Sequence, residues 1–390
     1  MIAANRQSHG IVLSGGGAYG AYEVGVLRAL LTGQSPSTAF QPIRPESYAG
    51  TSVGAVNASA MVANSALDAE SCVNRLYQYW QRELASGSGR CGNGAFRIRG
   101  ANPFEIDCLI GQPGSVLQAA FQDAAFALKS GLERGIGYAT SSESLTRRTL
   151  ELLDFSVLLD RDKFAASLAK IAPLDGIRQS NQRLRIVATN FDDGELTVFD
   201  NHDIADRVGY QAIMASSAVP GVFPHVEIDG KTYTDGGTLM NAPLLPVIHG
   251  SNVLHVVYMD PDVSDIPLKS IKTTLGVLDR LLVTNFAFAM NSSIEAIHDF
   301  NDSIRLIRSL DANSNYDGDS ENFLKVAASL KNHVSGGEYE PLIIHRYHPK
   351  DDLGGVFGFL DFDIKHIDHL IERGFRDTAN HDCEAAGCLV

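Results

Sequence analysis

Gly50-Thr51-Ser52-Val53-Gly54 is the stretch that most narrows what this chain can fold into. This Gly-x-Ser-x-Gly pentapeptide follows a short extended approach, Ser47-Tyr48-Ala49, and precedes a run of small and apolar residues, Ala55 to Ala63, that reads as a helix. A serine on so sharp a strand-to-helix turn has its hydroxyl pushed outward, over the positive end of the helix. Gly50 and Gly54 omit the Cβ atoms that would clash inside the turn. Alone, the pentapeptide also fits an ordinary turn, so its meaning depends on what else the chain carries.

Upstream, the buried-type strand Ile11-Val12-Leu13 runs into Ser14-Gly15-Gly16-Gly17-Ala18-Tyr19-Gly20, and a helix follows as far as Gly33. Loop amides ahead of a helix N-terminus make a site for negative charge. Two readings compete. Gly15-x-Gly17-x-x-Gly20 matches the dinucleotide fingerprint, which also needs a second strand ending in an acidic residue about 20 residues on. The chain offers the turn-rich Gln34 to Pro45 there instead. The other reading is an oxyanion hole, with loop amides aimed at the charge that develops on a carbonyl oxygen. The serine turn downstream favours it.

Downstream, Leu184 to Phe191 reads as a strand that turns through Asp192-Asp193-Gly194 into Glu195 to Phe199. A helix from Gly209 to Ala215 is broken by Ser216 to Pro224, and a hairpin through Asp229-Gly230 delivers Asp235-Gly236-Gly237, with Asn241 after it. An aspartate followed by two glycines is either a turn residue or a carboxylate on a backbone free to crowd a neighbour.

The ordered set Ser14-Gly15-Gly16-Gly17-x-x-Gly20, Gly50-x-Ser52-x-Gly54 and Asp235-Gly236-Gly237 resembles the patatin-like phospholipase family, as does the proline-bearing stretch Ala215 to Pro224. The resemblance covers roughly residues 9–249. It implies a three-layer α/β/α fold with a central, mostly parallel sheet and a nucleophile elbow. It also implies a Ser–Asp dyad, with Ser52 as nucleophile and Asp235 as general base, and an oxyanion hole from the amides of Gly15, Gly16, Gly17 and Ala18. Gly20, Gly50, Gly54, Gly236 and Gly237 are the remaining motif positions. The implied activity is lipid acyl hydrolysis of the phospholipase A or lysophospholipase type. A neutral-lipid esterase and, from a different class, a nucleotide-binding module are the alternatives. Tyr19 departs from the family pattern, which often carries Arg or Lys there, and a phenol lacks the permanent charge and forked donors that a guanidinium offers phosphate.

A histidine triad is the nearby alternative mechanism, with His225, His249 and His255 as its candidates, although His255 sits in an apolar strand and reads as a core residue. The net charge of −14 argues against nucleic acid and gives no general attraction to anionic lipid, so any peripheral membrane contact is local and apolar. Cys72, Cys91, Cys108, Cys383 and Cys388 lack metal-type pairing and read as reduced thiols. With no apolar leader or membrane-length run, the expected location is cytoplasmic.

Trp80 is expected inward on an amphipathic helix over Leu67 to Leu84, and residues 86–114 read as a long loop. Helices are expected at Ala119–Leu132, Ser141–Leu153, Asp162–Ile171, within Leu268–Ile297 and at Ile364–Thr378. Residues 250–390 read as a mostly helical segment packed on the catalytic domain. Asn313-x-Asn315-x-Asp317-Gly318-Asp319 resembles the start of a calcium loop but has Leu324 where the closing Glu belongs. His345-x-x-His348 and His366-x-x-His369 lack an intervening glutamate or nearby cysteines. Neither metal nor cofactor is therefore expected.

Overall fold

Strand β1 (His9–Leu13) is apolar on both sides, and that is why it becomes the middle of a sheet with cores above and below it. The computed structural model describes residues 7–85, 161–220, 223–248, 250–259, 274–312, 341–354 and 358–390. The expected loop at 86–114, the helices at 119–132 and 141–153, and the calcium-like stretch lie outside them.

The described elements are β1, α1 (Gly20–Leu31), β2 (Ser47–Thr51), α2 (Val53–Ala63), α3 (Ala69–Tyr79), α4 (Arg161–Ile171) and α5 (Leu174–Gln179). They continue with β3 (Arg183–Asn190), β4 (Glu195–Asp200), α6 (Gln211–Ser216), β5 (Val226–Ile228), β6 (Lys231–Asp235) and α7 (Leu245–Ile248). The last are β7 (Val253–Val257), α8 (Thr274–Ala312), β8 (Ile343–Tyr347) and α9 (Ile364–Ala379). The strands form one sheet in the order β5-β6-β3-β2-β1-β7-β8, with β4 also paired to β3. β3, β2, β1, β7 and β8 run parallel, while β4, β5 and β6 add antiparallel pairings.

Alternation along the strands sorts the core into two layers. Ile11 and Leu13 of β1 and Tyr48 of β2 pack with Tyr22, Val26, Val56, Ile367 and Leu370 from α1, α2 and α9. Val12, Ala49, Leu254 and Val256 face the other way, onto Leu244, Val247 and the α8 stripe Met290, Ile294 and Ile297. Helices thus cover both faces of the sheet, which is the three-layer arrangement. α8 runs further than the sequence pattern indicated, to Ala312. Past residue 249 the chain supplies strands as well as helices, because β7 and β8 extend the same sheet beyond β1.

Trp80 is fully buried in a π-helical turn continuing α3, and its indole Nε1 donates to Asn57 Oδ1 at 2.8 Å. No helix among the described residues is long and apolar enough to cross a membrane.

Candidate active site at the ends of β2 and β6

β3 has two edges and three partners. β4 spans Arg185 to Asn190 on one edge, so β2, opposite Arg183–Val187, and β6, opposite Ala188–Asn190, share the other. β2 runs parallel to β3 and β6 antiparallel, so their C-terminal ends meet head to head. Thr51 lies opposite Val187, and Asp235 opposite Ala188. Ser52 is the next residue after that meeting point.

Ser52 sits at φ 55°, ψ −124°, a backbone conformation a non-glycine residue adopts only under constraint. The glycines of the elbow supply the room: a Cβ on Gly50 would collide with the Gly54 carbonyl, and one on Gly54 with the Leu13 carbonyl. The Ser52 amide donates to Ser216 Oγ at 2.9 Å, and Ser216 Oγ donates in turn to the Val187 carbonyl at 2.6 Å. A fully buried hydroxyl therefore ties the strained turn to β3. Ser52 immediately precedes α2 as its N-cap and lies at the positive end of that helix.

The Asp235 main chain is fixed at both ends, with its amide donating to the Ala218 carbonyl at 2.9 Å and its carbonyl accepting from Thr189 Oγ1 at 3.0 Å. Its side chain is buried. Oδ1 accepts from the Gly237 amide at 2.7 Å, and Oδ2 is sealed from solvent without a completed hydrogen bond among the described residues. Burial pushes the carboxyl up to about 7, an effect that the Ser52 hydroxyl and the Gly237 amide partly offset.

The glycine loop lies against this pair. A Cβ on Gly15 would stand 3.1 Å from Ser52 Cβ. The Gly15 amide is engaged by Asn241, donating to both its main-chain oxygen and Oδ1 at 3.1 Å, so it fastens the loop rather than facing a ligand. The amides of Gly16, Gly17 and Ala18 have no hydrogen-bond acceptor among the described residues, as expected where a 3-10 turn starts at Gly17. Gly17 has φ 56°, and a Cβ there would collide with the Phe359 carbonyl, so the position needs glycine twice over. Tyr19 packs against Gly358 and stands edge-on to His366 with ring centroids 6.4 Å apart.

Ser216 and Asn241 were not legible as site residues. The first was only part of the proline-bearing stretch that breaks a helix, and the second only a residue after the aspartate motif. Each acts across more than 160 residues of chain.

Among the described residues, histidine is not part of this arrangement. His255 is fully buried in β7, 3.1 Å from His9 Nδ1 and 3.0 Å from the Tyr347 hydroxyl, so it is a satisfied core residue. His225 is exposed, and His249 lies outside the described residues. Among the described residues, neither Ser52 nor Asp235 is hydrogen-bonded to a histidine. The dinucleotide reading loses its second element too, since the strand after the glycine loop, β2, ends in Thr51 rather than an acidic residue.

The sequence profile of the patatin-like phospholipases matches residues 11–248, more than half of the 390-residue chain. The chain belongs to the patatin-like phospholipase family. Membership makes this patatin-like protein a lipid acyl hydrolase in the general sense. A search of curated proteins finds no match. The crystal structure of VipD from Legionella pneumophila is similar over 97% of this chain and 67% of its own, at 14% identity and a TM-score of 0.38, a likeness too slight to add to the family assignment. Beside the patatin-like site, a cleft of about 160 Å³ is lined by Met240, Asn241, Tyr258, Phe286, Met290 and Arg346. It shares Asn241 with the glycine-loop clamp.

Proposed function

We propose that the protein is a lipid acyl hydrolase of the phospholipase A or lysophospholipase type, working through a Ser52–Asp235 dyad and an acyl-enzyme. The observation that carries this reading is the meeting of a strained serine with a buried carboxylate whose Oδ2 lacks a completed hydrogen bond. Asp235 accepts the Ser52 proton as Oγ attacks the ester carbonyl, and the amides of Gly16, Gly17 and Ala18 hold the oxyanion. The proton passes to the departing alcohol. Asp235 then takes a proton from water as the oxygen attacks the acyl carbonyl, and it returns that proton to Ser52 Oγ as the fatty acid leaves. A carboxyl held near 7 is a far better base toward serine than an ordinary aspartate of about 4.

The apolar side chains of Val277, Leu281 and Phe288, on one face of α8, are 41%, 61% and 71% exposed, and Leu239 beside the cleft is 45% exposed. Such a surface supports local, apolar contact with a lipid interface despite the acidic net charge. Tyr19 is taken up by packing on Gly358 and His366, which favours substrates recognised by their acyl ester over those held by a phosphate. The reducing cytoplasm, where buried Cys72 stays a free thiol, is the location in this proposal.

The test is hydrolysis of a p-nitrophenyl ester and of a panel of diacyl phospholipids, lysophospholipids and neutral glycerides by wild type, Ser52→Ala and Asp235→Asn. Both variants should remain folded and lose at least about a thousandfold in kcat/KM. An active Asp235→Asn enzyme would remove the dyad. Turnover of neutral glycerides alone would move the substrate to the neutral-lipid class.

A further inference from the structure

The C-terminal tail returns to the edge of the sheet at a defined place. Leu389 and Ile344 exchange two main-chain hydrogen bonds, of 2.7 and 2.9 Å, so the last residues add an antiparallel bridge to β8. That bridge sets Cys388 beside His345, and the turn from Cys383 to Cys388, closed by a 2.9 Å main-chain hydrogen bond, brings both sulfurs and His381 to the same spot.

We propose that His345, His381, Cys383 and Cys388 form a zinc site that fastens the C-terminal tail to β8. One ligand atom from each residue lies within 4.8 Å of all the others, and this is the one such cluster among the described residues. Cys383 Sγ is 3.4 Å from His345 Nδ1, and Cys388 Sγ is 3.3 Å from His381 Nε2. A tetrahedral zinc with ordinary Zn–S and Zn–N bonds needs sulfur–nitrogen edges of roughly 3.5 Å, so two edges of the tetrahedron already have their length. Two separate thiol–imidazole hydrogen bonds would explain those two contacts but not the convergence of both pairs.

The surroundings suit a thiolate-bound metal. The Arg346 amide points at Cys388 Sγ from 3.3 Å, the kind of second-layer donor that stabilises a thiolate ligand. His345 is stacked on His255 at 5.3 Å, and His381 leans on Tyr347 at 4.6 Å, so neighbouring rings fix both imidazoles. Two imidazoles and two soft sulfurs in a closed set select zinc over magnesium or calcium. Binding releases the two thiol protons and leaves a centre of no net charge. On this proposal Cys383 and Cys388 are ligands, while Cys72 remains a free thiol. The ligands were hidden from the sequence because His345 lies 38 residues before Cys383, and His381-x-Cys383-x4-Cys388 follows no standard spacing.

The experiment is metal analysis of the full chain, purified without chelator and with any polyhistidine tag removed. About one zinc per chain is expected, retained in Cys72→Ser and lost in the Cys383→Ser/Cys388→Ser double variant. Cobalt(II) added to reduced, metal-stripped wild type should produce thiolate-to-cobalt charge-transfer bands and tetrahedral d–d bands, a readout that needs no variant to fold. Zinc-free protein showing no such bands, or a native Cys383–Cys388 disulfide, would overturn the proposal. None of these readouts depends on ester hydrolysis.

Discussion

Thr51 and Asp235 stand end to end along one edge of β3, opposite its consecutive residues Val187 and Ala188. Two strands that run toward each other on a shared edge can bring a serine and a carboxylate together only in one register. A slip of one residue in β6 would turn the Asp235 side chain to the opposite face of the sheet. The main-chain anchors of Asp235 on Ala218 and Thr189 hold that register.

The first consequence is a pH profile. Burial holds the Asp235 carboxyl at about 7, and only its ionised form can take the Ser52 proton. On a p-nitrophenyl ester, kcat/KM should rise about tenfold per pH unit below that value and level off above it. A rate flat from about pH 5 to pH 8 would mean that Asp235 is not the titrating base.

Ser216 supports the elbow without reaching the substrate. Ser216→Ala leaves the Ser52 amide and the Val187 carbonyl without their shared partner, both in the interior. The expected loss is about 1–3 kcal/mol of stability, read by chemical denaturation. The kcat should fall while KM stays near wild type, since the strained φ of Ser52 then has one fewer restraint. Wild-type kcat would place the support of the elbow elsewhere.

The features legible in the sequence are those carried by local chemistry. Gly50 and Gly54 mark the elbow because no other residue fits it, and Asp229-Gly230 marks the hairpin that ends in Asp235. Ile11, Val12 and Leu13 announce a two-sided strand. The features that stayed hidden depend on pairings across the fold. Asn241 clamps Gly15 over a separation of 226 residues, and nothing near either residue encodes it. β8 was noticed only for its histidines, because Ile343-Ile344-His345-Arg346-Tyr347 breaks the apolar run expected of a buried strand. In the fold His345 meets the cysteine-bearing tail and Arg346 meets Tyr258.

Asn57 is a second buried hub. Its amide donates to the Gly20 carbonyl at 3.0 Å and to Glu23 Oε2 at 2.7 Å, while its oxygen accepts from Trp80. Glu23 is fully buried, and burial raises its carboxyl well above the usual range, with Asn57 and the Ser14 amide as partial offsets. Asn57→Ala leaves Glu23 Oε2 and the Trp80 indole N–H without the partner they have here and should cost roughly 2–4 kcal/mol. Trp80 is the single tryptophan, so a change in its emission reports the lost bond directly. Glu23→Gln keeps the shape and removes only the ionisation, and it should stay within about 1 kcal/mol of wild type at neutral pH.

Asp235→Asn should stabilise the fold where it abolishes the chemistry. The folded chain holds the Asp235 proton more tightly than the unfolded chain, since the carboxyl rises from 3.8 to about 7. A raised carboxyl contributes stability that is complete below the unfolded value and is lost as pH climbs through the folded one. Above pH 7 the wild type therefore carries a buried charge costing on the order of 4 kcal/mol, at about 1.4 kcal/mol per pH unit. Asparagine keeps an oxygen for the Gly237 amide and carries no charge. Its advantage in denaturant midpoint should be largest near pH 8, shrink as pH falls through 7, and vanish near pH 4. An advantage independent of pH would show that ionisation of Asp235 is not what the fold works against.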